Sequence, residues 1–173
     1  RDVADRAGRA AQQAARLQHA PAREVLHGSH ADPLAEAPCE TGARLAGDPA
    51  LVRARELFLT GLDGRGRSEW NEAVRGLSQH DKAQAALLAE RWDWPSRAIA
   101  SAAQAGQMDS LDLRYPLPHL DAFRESAAAA GIRESWAYGV ARSESIFMRD
   151  VRSSAGAIGL MQLMPATGRS TAR

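Results

Sequence analysis

Residues 48–61 read Asp-Pro-Ala-Leu-Val-Arg-Ala-Arg-Glu-Leu-Phe-Leu-Thr-Gly, and this stretch sets the pattern for the chain around it. Asp48 is a residue type whose carboxylate caps a helix, and Pro49 suits the first helical position, where its missing N–H costs nothing. Leu51, Ala54, Leu57 and Phe58 follow at spacings that share one helical face, and Gly61 supplies a stop. The same grammar continues downstream. Gly64 and Gly66 mark a turn, and Ser68 is placed to cap a helix carrying Trp70, Val74 and Leu77. Residues 81–92 form another helix, with Ala85, Leu88 and Trp92 along one face, and Pro95 opens the next, through Ile99 and Ala103 to Gly106. Upstream, residues 27–41 contain Gly28, Ser29, Pro33 and Pro38 and read as loop or broken helix. Residues 1–17 are rich in alanine, arginine and glutamine, which are good helix formers. Runs of alternating β-branched and aromatic residues are missing, so no strand is expected. The fold class is all-α, an α-solenoid or irregular bundle of short helices, without the strict period of a named repeat.

Residues 111–118, with Pro116 and Pro118, interrupt this series and are expected to hold a domain boundary. The division that follows is a helical solenoid and linker region over 1–115 and a second helical domain over 116–173. The second part opens with a helix around residues 121–130, a stop at Gly131 and a further helix from about Glu134. The whole chain is 45% apolar and 25% charged with a formal net charge of +1, an ordinary globular balance. That charge gives no support for a strong nucleic-acid binder. No apolar run reaches the roughly 18 residues needed for a membrane span. The chain opens with Arg1 and no charged-then-apolar leader, so a secretion signal is not part of it. Cys39 is the only cysteine and reads as a passive thiol. His19, His27, His30, His80 and His119 lack metal-ligand spacing, so neither a metal nor a cofactor is expected. Trp70, Trp92, Trp94 and Trp136 read as packing residues in preference to sugar platforms.

The chemistry concentrates near the C-terminal end. On the helix from Glu134, the residues Ala137, Val140, Ala141, Glu144 and Phe147 fall on one face. That register puts a carboxylate on an apolar stripe near a helix C-terminus. Lost hydration and the macrodipole would then both favour its protonated form, which suits a general acid. The plainer alternative is a glutamate that snorkels or pairs with Arg142 or Arg149. Residues 148–154 read as a loop carrying Ser153 and Ser154. After them comes Gly156-Ala157-Ile158-Gly159-Leu160-Met161-Gln162-Leu163-Met164-Pro165, two glycines that permit close backbone approach and a proline that can start a helix. Gln162 among large apolar residues is an amide in need of partners, suited to reading sugar hydroxyl or acetamido groups.

Taken together, Ala141-Arg142-Ser143-Glu144-Ser145 and the run from Ser153 to Pro165 closely resemble the catalytic core of soluble lytic transglycosylases. Arg67-Ser68-Glu69-Trp70 and Arg114-Tyr115-Pro116-Leu117 resemble that family's helical linker region, so the resemblance spans roughly residues 51–173. It implies a superhelical linker followed by the first part of a lysozyme-like domain. The activity implied is cleavage of the β-1,4 bond between N-acetylmuramic acid and N-acetylglucosamine, leaving a 1,6-anhydro sugar. Glu144 would be the acid and then the base. Ser153 and Gln162 would orient the muramic acid residue, Met164 would form an apolar wall, and Ser145 would hold local structure or a substrate group. Peptidoglycan glycan strands are the implied partner and the periplasm of a Gram-negative bacterium the implied location.

Departures accompany the match. Ser143 stands where the family more often has glutamine, and Met148-Arg149 replaces its usual Asn-Pro, changes expected to alter loop shape and not the acid. The family's later Ala-Tyr-Asn motif and groove tyrosine have no counterpart, so a truncated groove with little or no lytic activity of its own is expected. Two other functions stay open at this stage: a lysozyme-type hydrolase using the same glutamate with water, and a non-catalytic helical glycan-binding fragment. Arg142, Arg149, Arg152, Arg169 and Arg173 outnumber Glu144 and Asp150 and read as a solvated basic face, or as an attraction for acidic stem peptides.

Overall fold

The Asp48 carboxylate accepts hydrogen bonds from the Ala50 and Leu51 amides at 2.8 and 3.1 Å, satisfying donors that the first helical turn leaves open. The cap is seen in a computed structural model that describes residues 40–171; the readings of residues 1–39, with Cys39 and the three histidines there, lie outside the described residues. The described chain is helical: α1 (Glu40–Ala46), α2 (Pro49–Leu59), α3 (Asp63–Arg75), α4 (Gln79–Arg91), α5 (Pro95–Gln104), the single turn α6 (Leu111–Arg114), α7 (Leu120–Ala130), α8 (Glu134–Ser145) and α9 (Pro165–Thr171). Among the described residues there is no strand; only isolated bridges join Arg152 to Ile158 and Ile158 to Leu163. No helix of the described residues is long and apolar enough to cross a membrane. The described residues, 40–171, lie within one compact unit.

Short turns make neighbours of successive helices: α2 packs on α3, α4 on α5, and α7 on α8, while α1 lies against α4. Helix α4 sits in the middle, buried through Ala83, Gln84, Ala85, Ala86, Leu88 and Ala89. Its alanines let neighbours approach closely but supply little area, so the bulky core comes from tryptophans. Trp70 is 1% exposed, donates its indole N–H to Ser101 Oγ at 3.0 Å, and meets Trp92 and Trp94 edge-on. Trp94 stacks on Phe58 at 4.4 Å. Three of the tryptophans thus pack as the sequence suggests; Trp136 does not, being 58% exposed.

The glycines of α3 correct the sequence reading. Gly64 and Gly66 lie within a continuous helix, and Ser68, expected as a cap, is an interior residue whose hydroxyl donates to the Gly64 carbonyl. Gly66 is there for space. A methyl group on it would stand 2.9 Å from the Ala54 carbonyl oxygen and 3.2 Å from the Trp94 ring, so α2 and α3 cross at a contact only a bare backbone allows.

A second cluster positions the candidate site. Ile99 of α5 packs with Tyr138, Ala141 and Phe147, and Leu120, Phe123, Leu160 and Met161 close around them. Phe123 stacks on Tyr138 at 4.3 Å. The Tyr138 hydroxyl donates to the Pro118 carbonyl at 3.0 Å, and Arg142 Nε donates to the Arg114 carbonyl at 2.8 Å. Both bonds run from α8 to the proline-containing segment and fix how that segment enters the second half.

Candidate active site

The buried face of α8 is Ala137, Tyr138, Ala141 and Ser145. This stripe is centred one residue away from the expected one, because small side chains at 137, 141 and 145 let the helix lie close on its neighbours. Glu144 therefore faces solvent and is not desolvated in the way the apolar-stripe reading requires. Phe147 is buried, but not as a member of that stripe. The helix ends at Ser145, and Ile146 and Phe147 adopt left-handed backbone (φ 46° and 63°), a conformation disfavoured for such side chains. The turn swings Phe147 back onto Tyr138, at 6.1 Å between ring centres. The other half of the reading holds, for Glu144 is the next-to-last residue of its helix. Neither arginine offered as its partner is one: Arg142 is bonded to the Arg114 carbonyl, and Arg149 to Asp63.

Ser145 is 3% exposed, and its hydroxyl lies 3.1 Å from the Ala141 carbonyl and 2.9 Å from the Leu160 carbonyl. The side chain thus ties the helix end to the Gly-Leu-Met-Gln loop. Ser153 shapes that loop from its start. Its amide donates to the Ala157 carbonyl at 2.9 Å, and its hydroxyl accepts from the Ala157 amide at 3.0 Å. Gln162 has left-handed backbone (φ 45°), and its Nε2 donates to the carbonyls of Gly159 at 2.9 Å and Val151 at 3.2 Å. These bonds meet the expected need of the amide for partners within the loop itself. Met164 is 45% exposed and Leu163 similarly open, so both present apolar surface to solvent. Pro165 begins α9 as expected.

The loop is also held from outside. Arg149 Nε and Nη2 donate to the Asp63 carboxylate at 3.0 and 3.4 Å, and Arg67 Nη1 meets Asp150 Oδ1 at 2.6 Å. Asp63 is 6% exposed, and its hydrogen bond holds Arg149 in the charged form, raising the guanidinium above its ordinary pKa. The basic face is therefore not simply solvated: Arg149 is committed to an internal acid. Sequence reasoning had no access to this, because the partners stand more than eighty residues apart. A recess of about 550 Å³ lies on another side of α8, lined by Tyr115, Pro116, Leu117, Tyr138, Arg142 and Phe147; Glu144 does not line it. Among the described residues no group of three His, Cys, Asp or Glu side chains is arranged to hold a metal ion.

This arrangement has counterparts in known proteins. Residues 44–111 match the family described as the soluble lytic murein transglycosylase L domain, and residues 121–173 match the transglycosylase SLT domain. The soluble lytic murein transglycosylases of Salmonella typhimurium and Escherichia coli K12 are each 34% identical over 138 residues, 80% of this chain. The chain spans 21% of the length of these curated relatives. Among solved structures, an inactive mutant of lytic transglycosylase Slt from Pseudomonas aeruginosa is 36% identical with a TM-score of 0.70, covering 84% of this chain and 23% of that one. The 70-kDa soluble lytic transglycosylase of Escherichia coli is 35% identical with a TM-score of 0.73, over 78% of this chain and 22% of that one. With both halves matched in the same order and the fold shared, the chain belongs to the soluble lytic murein transglycosylase family, joining an L domain to an SLT domain.

Proposed function

We propose that this chain carries the acid of a peptidoglycan lytic transglycosylase. The bond cleaved is the β-1,4 link between N-acetylmuramic acid and N-acetylglucosamine, with formation of 1,6-anhydromuramic acid. Glu144 gives its proton to the leaving glycosidic oxygen. The carboxylate left behind then accepts the proton of the muramic C6 hydroxyl as that oxygen bonds to C1. No water is added and the proton count balances. The observation that carries the reading is the placement of Glu144: solvent-facing, at the end of α8, beside a loop that Ser145 fastens to the same helix. An exposed carboxyl at this position can reach the glycosidic oxygen of a bound glycan strand.

Met164 offers apolar surface to the sugar, and Gln162 and Ser153 contribute chiefly by fixing the loop's backbone, with Ser145 anchoring it. The domain boundary is placed between residues 115 and 116, supported by the two matched stretches on either side and by Pro116 and Pro118. The family resemblance supports a location in the periplasm of a Gram-negative cell, where peptidoglycan is accessible.

Purified sacculi digested with a full-length transglycosylase that carries this segment, and with its Glu144→Gln variant, test the reading. Anhydro-muropeptides, lighter by one water than hydrolysis products, are expected from the former and absent from the latter. Cleavage that survives the substitution removes Glu144 from the mechanism.

A further inference from the structure

Two charges on α3 meet two opposite charges in the loop that leaves α8. Asp63 and Arg67 are four residues apart, hence one above the other on the same helical face. Arg149 and Asp150 are consecutive. The order of signs is reversed between the two elements, acid then base on the helix against base then acid in the loop, so one register satisfies both contacts. A slip of the loop would bring like charges together, and the buried Asp63 carboxylate would lose the partner that its burial demands. Arg149 adds a second hold, its guanidinium carbon 5.4 Å from the centre of the Phe58 ring, which is itself stacked on Trp94. Asp150 has a further task, since it neutralises Arg67 next to Arg97, a guanidinium whose pKa burial and then Arg67 lower to about 10.

The clamp leads straight to the loop. Val151, the residue after Asp150, offers its carbonyl to the Gly159 amide at 2.9 Å and to Gln162 Nε2 at 3.2 Å. Its two sides belong to the stretches matched by the L domain and by the SLT domain. From this we propose that Asp63 and Arg67 are positioning residues: through Arg149 and Asp150 they fix the segment after Glu144 and so set where the acid stands against the Gln162 loop. The inference rests on Glu144 being the acid.

The test compares Arg149→Asp with the charge-swapped pair Asp63→Arg/Arg149→Asp in the same full-length transglycosylase, reading both turnover of glycan strands and amide exchange. The single variant should lower kcat on the order of tenfold with KM little moved, the scale of a small misplacement of a catalytic group. It should also speed exchange of the Gly159 amide while leaving α4 protected, and the swapped pair should recover most of both. Asp63→Asn, which removes charge at constant shape, serves in the same comparison if the reversal does not fold. Unchanged Gly159 exchange, unchanged kcat despite faster exchange, or failure of the swap to restore either would each overturn the proposal. Turnover that persists in Glu144→Gln instead defeats the proposed function, and the exchange results stand apart from it.

Discussion

Glu144 carries the proposed chemistry and almost none of the packing. Replacing it with glutamine should leave the thermal midpoint nearly unchanged, since exposed substitutions stay within about 0.5 kcal/mol, while the proposed activity is lost. A large fall in melting temperature would show that the side chain has a structural role. Tyr138 behaves in the opposite way. Burial first, and then the nearby Glu134, push its phenol up to about 12. A folded-state pKa above the unfolded value near 10 gives stability that is complete below about pH 10 and is lost as pH rises through 12. Tyr138→Phe should cost about 1 kcal/mol at neutral pH, through the lost bond to Pro118, and should remove that alkaline loss. Thermal melts from pH 8 upward would check both parts. The helix-end position of Glu144 was legible in the sequence, but its exposure was not. Helical periodicity resolves a face only to within a residue, and Phe147 lay beyond a left-handed corner that no periodic pattern can see.

At the scale of elements, Gly66 separates propensity from packing. A helical Gly→Ala change is favourable by about 1 kcal/mol when nothing else is near. Here the added methyl would meet the backbone of α2 at 2.9 Å, and overpacking of this kind costs about 1–3 kcal/mol, so Gly66→Ala should lower stability overall. Equilibrium denaturation would show it; a stabilised variant would mean that α2 and α3 separate freely. Asp48→Ala should cost about 1 kcal/mol through the two released amides. The caps at Asp48, Pro49, Pro95, Gly131 and Pro165 were readable because each signal is local. Gly64 and Gly66 were misread as a turn for the converse reason. The reason a glycine is needed at position 66 lies on another helix, and residue type does not distinguish a glycine that breaks a helix from one that admits a neighbour.

Across the molecule, the two matched halves are fastened at separate places. Ile99 enters the cluster around Tyr138, Arg142 and Tyr138 hold the proline segment, and two ion pairs join α3 to the loop after α8. Residues 40–171 should therefore unfold in one cooperative transition, with calorimetric and van't Hoff enthalpies in agreement. Two resolved transitions would mean that these links are weaker than the cores they connect. The helical class and the order of the parts were legible because they depend on patterns within a dozen residues. The fastenings were not, because each joins side chains far apart in the chain whose types alone say nothing about pairing.

Phe58 touches both the Trp94 indole and the Arg149 guanidinium, so a fluorophore of the core lies one ring away from the cation of the loop. Indole emission responds to nearby charge. Any ligand that shifts the loop, the proposed glycan strand included, would thus announce its arrival as a change in intrinsic fluorescence, and the molecule carries its own optical gauge without any dye attached.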